Sequence, residues 1–204
     1  MHAIDVNELY HILYTKLGPR HWWPARSTEE LLCGMILIQN TNYKNVDRSL
    51  ANLDAATNFG LAALLALPDG QLQALIRPSG FYKNKARYLR AVLQAYHDHY
   101  HELAALPTPS LRKRLRDLPG VGNETADVML LYVFMRPAFV ADSYSRRLFA
   151  RLGQDAPYPQ LQAHIAPTMR LNIAQAQEFH ALLDDYGKLG PDVFGLADQY
   201  QLKL

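Results

Sequence analysis

Apolar residues recur at helical spacing along nearly the whole chain, and no alternating apolar–polar run of strand length occurs. That pattern predicts an all-α protein, because strands would need a period of two that is found nowhere. Local signals punctuate the helices. Ser27-Thr28-Glu29-Glu30 reads as a capping box ahead of a helix over Leu31–Gln39. Helices are predicted around Asn45–Leu53, in short pieces between Leu61 and Ile76, and as one long element over Tyr82–Leu103. Thr108 reads as the cap of the next helix, with Pro109 at its permissive first position, running through Arg116. Leu118-Pro119-Gly120-Val121-Gly122 then turns the chain into a helix over Asn123–Phe134. Ser143–Leu152, Gln160–Ala166 and Asn172–Tyr186 follow, with Gly153 and Gly187 as stops.

A chain of 204 residues, 49% hydrophobic and 20% charged, has the composition of a folded domain rather than a disordered or fibrous one. It carries no apolar run of about 18 residues and no basic-then-apolar leader, so a soluble cytoplasmic protein without a membrane partner is expected, nucleoid-associated if the source is bacterial. The lone cysteine, Cys33, lies in the apolar stretch Leu31–Ile38 and reads as a buried small hydrophobe. One thiol excludes an internal disulfide and any iron–sulfur cluster or zinc site built on several thiolates. His97, His99 and His101 lie two apart on a helix, on different faces, and do not make a metal site.

The net charge of +2 conceals an asymmetry. Residues 77–151 hold thirteen Lys and Arg against six acids, a balance of +7, and the remainder carries −5. Positive potential concentrated in one segment suits a polyanion. Within it, Arg112, Lys113, Arg114 and Arg116 precede the Leu118–Gly122 turn. Two glycines around one apolar residue allow a tight turn and close backbone approach, with Val121 as an inward pin. The following helix opens at Asn123, so its free N–H groups and positive dipole end form an anion site suited to a DNA phosphate. An ordinary helix–helix turn is the competing explanation.

The segment Leu118–Ala126 resembles the helix-hairpin-helix of the endonuclease III superfamily of DNA base-excision glycosylases. The run Phe139-Val140-Ala141-Asp142-Ser143-Tyr144-Ser145-Arg146-Arg147, ending Arg151-Leu152-Gly153, is similar to that superfamily's catalytic-aspartate segment, at the expected spacing of about twenty residues. Leu37-Ile38-Gln39-Asn40-Thr41 and Gly80-Phe81-Tyr82-Lys83-Asn84-Lys85-Ala86 extend the resemblance over most of the chain. It implies two helical domains flanking a DNA cleft: a six-helix barrel over residues 26–136, with the hairpin motif at 110–134, and a second domain of residues 1–25 plus 137–204. It implies DNA contacts from Gln39, Pro119, Gly120, Val121, Gly122, Asn123, Thr125, Arg112, Arg114 and Arg146. Gln39 would fill the gap left by a flipped nucleotide, although a helix C-cap explains it nearly as well. A monovalent cation at the hairpin is compatible with the pattern, and a monomer on double-stranded DNA is expected.

Two departures narrow the expectation. Bifunctional members carry a lysine directly before the Thr-Ala of the hairpin helix, where this chain has Glu124, and a carboxylate cannot form an imine. The superfamily's four-cysteine cluster is also missing. Both point to a monofunctional glycosylase, with Asp142 as the carboxylate that stabilises positive charge on the sugar. Taken alone, Asp142 would read as a helix cap. Trp22-Trp23-Pro24 and Tyr43 resemble the aromatic slot of the endonuclease III-like 3-methyladenine DNA glycosylases, a match extended by Arg77–Tyr82 and the Leu202-Lys203-Leu204 ending. Electron-rich rings attract the positive charge of an N-alkylated purine; core packing is the competing reading of the tryptophans. Glu124 is placed at the same base pocket, and Lys188 near the interdomain cleft with no role assigned. The expected activity is hydrolytic release of an alkylated purine. The rivals are an endonuclease III-like glycosylase and lyase for damaged pyrimidines or mismatches, and a non-catalytic helix-hairpin-helix DNA-binding protein.

Overall fold

Seven consecutive buried residues, Leu31 to Leu37, explain the centre of the first unit: a helix apolar all round must be enclosed by others. The computed structural model describes residues 1–21, 25–190 and 192–203. The chain divides into two compact units, Pro24–Met129 and Met1–Trp23 with Leu130–Leu204. The sequence-based division lay at residues 25/26 and 136/137; here the second boundary falls inside a helix rather than after one.

Helix α1 (Val6–Leu17) belongs to the split unit, and α2 (Thr28–Leu37), α3 (Tyr43–Thr57), α4 (Leu61–Ala66) and α5 (Asp69–Leu75) to the continuous one. A 3-10 turn at Arg77–Ser79 leads into α6 (Tyr82–Ala105), which packs against α2, α4, α5 and α7 (Thr108–Arg116). Helix α8 (Asn123–Tyr132) carries the chain across the boundary. Lys85, only 2% exposed, donates from Nζ to the carbonyls of Leu37 (2.7 Å) and Ser79 (2.8 Å). It thereby satisfies the carbonyls that close α2 and the 3-10 turn, and burial pushes its ammonium down to about 8.

The split unit is built on α9 (Ser143–Arg151), α10 (Tyr158–Ile165), α11 (Ile173–Leu189) and α12 (Leu196–Gln199). Helix α11 packs against both α1 and α9 and buries Phe179, Leu182, Leu183 and Tyr186, with Phe179 edge-on to Tyr10 of α1. Gly187 is required there: an added Cβ would lie 2.2 Å from the Tyr144 ring. The chain ends meet in a two-stranded parallel ladder, β1 (His2–Ile4) with β2 (Tyr200–Leu202). Three-residue strands carry no readable alternation, which is why the sequence pattern missed them.

Two local expectations are corrected. Ser27 does cap α2 by accepting from the Glu30 N–H, but the Glu30 carboxylate turns to the Arg26 N–H (2.7 Å), so only half of the capping box forms. Helix α7 starts at Thr108 itself, with Pro107 at the cap position and no side-chain cap bond. Proline at the second helical position already fixes the entry.

Candidate active site

The turn between α7 and α8 is held from both sides. Gly120 adopts φ +80°, and an added Cβ would lie 2.2 Å from Tyr88 of α6, so the aromatic ring packs directly on the glycine backbone. Val121 is buried at 6% exposure, and its N–H donates to the Leu118 carbonyl at 3.1 Å. At Gly122 an added Cβ meets nothing within 4 Å, which leaves open space on that side of the backbone. The Gly122 carbonyl accepts from the Ala126 N–H at 3.0 Å, so helical bonding begins at once.

Arg112 faces into this motif. Its Nε and Nη2 donate to the two Asp127 carboxylate oxygens at 2.6 and 2.8 Å, and Asp127 is fully buried. The fork ties α7 to α8 and also reaches Asn123 at 3.4 Å. The contact expected of Arg112 was DNA; what the structure gives it is this pairing, whereas Lys113, Arg114 and Arg116 are exposed. Gln39 likewise has an engagement of its own: Nε2 donates to the Gly120 carbonyl (3.0 Å) and to the Thr125 hydroxyl (3.2 Å). Pro119 and Glu124 are exposed, and Asn123 and Thr125 half-buried, in the turn and the first turn of α8. The Leu118 carbonyl accepts from the Val121 N–H and the Gly120 carbonyl from Gln39 Nε2.

In the other unit, Asp142 sits at the N-terminus of α9. It is 9% exposed, and its Oδ1 accepts from the Ser145 N–H at 2.7 Å. Asp142 is thus the side-chain cap of α9. Its Oδ2 lies 3.8 Å from Nε2 of His180 on α11, whose Nδ1 is 2.9 Å from the Tyr132 hydroxyl. One turn further along α11, Asp184 accepts from the Lys188 ammonium, and Lys188 also lies 3.9 Å from Asp185. Burial holds the Asp184 carboxyl above its ordinary range, against the pull of Lys188. Burial pushes the His180 imidazole below its ordinary value, although the Asp142 and Asp184 carboxylates oppose this. Arg146 is exposed on α9, and Arg147 stacks its guanidinium over Tyr144 at 4.5 Å.

Sequence reasoning missed His180, Tyr132 and Asp184. Their signal was the His180–Asp184–Lys188 spacing of four, legible only once α11 is known to bury that face. It missed Phe81 as well, a ring 67% exposed on a left-handed backbone at φ +47°. Tyr43 is 47% exposed at the first position of α3, and Trp22, Trp23 and Pro24 lie outside the described residues. Cys33 is fully buried, and burial pushes its thiol up to about 12, so the residues present do not fit a thiolate-bound cluster.

Residues 33–166 match the family described as HhH-GPD superfamily base excision DNA repair protein. The chain belongs to that family. The HhH-GPD match spans the hairpin and Asp142 together. A Methanocaldococcus jannaschii protein described as a DNA repair glycosylase is 36% identical over 191 residues, covering 90% of this chain and 87% of that one. Among solved structures, the Helicobacter pylori 3-methyladenine DNA glycosylase bound to 1,N6-ethenoadenine superposes with a TM-score of 0.75 at 27% identity, over 91% of this chain and 98% of that one. An endonuclease III–DNA complex gives a TM-score of 0.69 at 22% identity, over 87% and 82% of the two chains, and shows the shared all-α fold.

Proposed function

We propose that this HhH-GPD protein is a monofunctional DNA glycosylase that flips an N-alkylated purine of the 3-methyladenine type and hydrolyses its glycosidic bond, with Asp142 as the catalytic carboxylate. The observation that carries this reading is the state of Asp142: a nearly buried carboxylate with one oxygen locked in a helix cap and the other turned toward the His180 ring at 3.8 Å. As the bond from C1′ to the base nitrogen lengthens, positive charge grows on the sugar and a fixed carboxylate stabilises it. The bonding pair leaves with the base and neutralises the charge of the alkylated purine, so no acid is needed at the leaving group. Water oxygen then bonds to C1′, and its proton passes to the carboxylate and on to solvent. The product is an abasic site.

Glu124 stands where a Schiff-base lysine would be required, which supports hydrolysis without strand cutting. The 3-methyladenine glycosylase likeness supports the alkylated-purine class, and Trp22, Trp23, Pro24 and Tyr43 would supply the cation-attracting slot. The backbone N–H groups around Gly120–Gly122, Asn123 and Thr125 would bind a phosphate, with Arg114 and Arg146 adding charge. A monovalent cation on the hairpin carbonyls would strengthen that attraction. Arg112 would act indirectly, by fixing the hairpin.

The test is base release from methylated duplex DNA under single-turnover conditions. Wild type should release 3-methyladenine, and Asp142→Asn should lose about 100- to 10,000-fold in rate while still binding a duplex with an abasic analogue. Undiminished release by Asp142→Asn would remove that residue from its role. A borohydride-trapped covalent complex on abasic DNA would overturn the monofunctional assignment in favour of a lyase.

A further inference from the structure

Helix α11 presents His180, Asp184 and Lys188 at spacings of four, so the three share one face. His180 is 7% exposed and Asp184 5%, and a buried imidazole must place both ring nitrogens on partners. Its partners here are unlike. Nδ1 faces the Tyr132 hydroxyl at 2.9 Å, and Nε2 faces Asp142 Oδ2 at 3.8 Å. The Tyr132 hydroxyl has a second, longer acceptor, the Gln177 carbonyl at 3.4 Å. Two proton arrangements satisfy the shorter bond. If Nδ1 carried the proton, the bare lone pair of Nε2 would point at a carboxylate in a buried site, which is repulsive. If Tyr132 donates to Nδ1, the proton sits on Nε2 and its N–H points at Asp142. Electrostatics selects the second arrangement.

We propose that His180, oriented by Tyr132, is a positioning residue that holds the second oxygen of Asp142 through a neutral Nε2–H. The inference rests on the reading of Asp142 as the catalytic carboxylate. The helix cap fixes Oδ1 but leaves Oδ2 to be oriented, and the Nε2–H dipole does this from the protein side. A neutral donor suits the task better than a cation. An imidazolium would form an ion pair with Asp142 and weaken the field that the carboxylate exerts on a developing sugar cation. Burial favours the neutral ring, and the Lys188 ammonium acts in the same direction, against the Asp142 and Asp184 carboxylates. At 3.8 Å the contact is electrostatic; a movement of roughly 1 Å would make it a hydrogen bond.

The two side-chain amides separate positioning from packing. His180→Gln extends its amide N–H to about where Nε2 lies, whereas His180→Asn places its amide near Nδ1 and cannot reach Asp142. Each variant is measured for single-turnover release from methylated duplex DNA, for binding of a duplex with an abasic analogue, and for thermal midpoint. His180→Asn should release base about 10- to 100-fold more slowly, the usual cost of losing an orienting group, with binding within about twofold of wild type. His180→Gln should recover most of that rate. Tyr132→Phe, which loosens the ring without removing it, should fall between the two. Wild-type release by His180→Asn, or equal losses in Asn and Gln variants that follow their thermal midpoints, would overturn the proposal. Asp142→Asn is run beside them: if it too releases base at the wild-type rate, the reading of Asp142 has failed, whereas a dead Asp142→Asn beside a fully active His180→Asn isolates the failure to His180.

Discussion

Gly120 shows what one residue contributes to this site. Its φ of +80° and the Tyr88 ring 2.2 Å from where a Cβ would stand make two separate demands that only glycine meets. Gly120→Ala should therefore cost about 2–4 kcal/mol, from the left-handed backbone and the overpacked ring together, and a drop in the urea midpoint would measure it. Gly122 faces open space, so Gly122→Ala serves as the control: it should lose little stability in the same titration. The sequence pointed to both glycines as needed for a tight turn. It gave no means of telling which one was fixed by a neighbour, because Tyr88 lies 32 positions upstream on α6. Asp142 has the same character. Helix capping and catalysis looked like rival explanations in the sequence, and the cap bond to Ser145 with the second oxygen turned to His180 makes them compatible.

Among the helices, the pairing of α7 with α8 depends on a charge pair as well as on apolar contact. Leu111, Leu115 and Val121 are buried, and beside them the Arg112 fork grips a fully buried Asp127. Removing one partner strands the other charge in a poorly solvated site, whereas removing both does not. Asp127→Ala should lose about 3 kcal/mol, and the double variant Arg112→Met with Asp127→Leu should recover much of it, as a double-mutant cycle by urea unfolding would show. Helix starts were the least legible feature at this scale. Ser27 and Glu30 have the residue types and spacing of a capping box, yet Glu30 bonds to Arg26 instead, a competition between neighbouring N–H groups that the residue pattern does not reveal. Helices themselves were readable because their apolar faces repeat over many turns.

For the chain taken as one, the charge asymmetry sets the electrostatics of binding. The +7 segment spans the hairpin, α7 and α9, and Arg114 is an exposed member of it on α7. Arg114→Ala should weaken binding to damaged and undamaged duplex alike and lower the slope of log K against log salt by about 1. Base release from saturated complex should be unchanged, since the contact is to the backbone; a loss confined to damaged DNA would count against a phosphate role. Helical periodicity and the glycine spacing of the hairpin were enough for the all-α class and the family resemblance, because each is a local property. Which arginine of α7 turns inward, what stands behind Asp142, and how β1 and β2 pair at opposite ends of the chain were all invisible. These depend on contacts between residues far apart in sequence, and such contacts exist only after burial has chosen the partners.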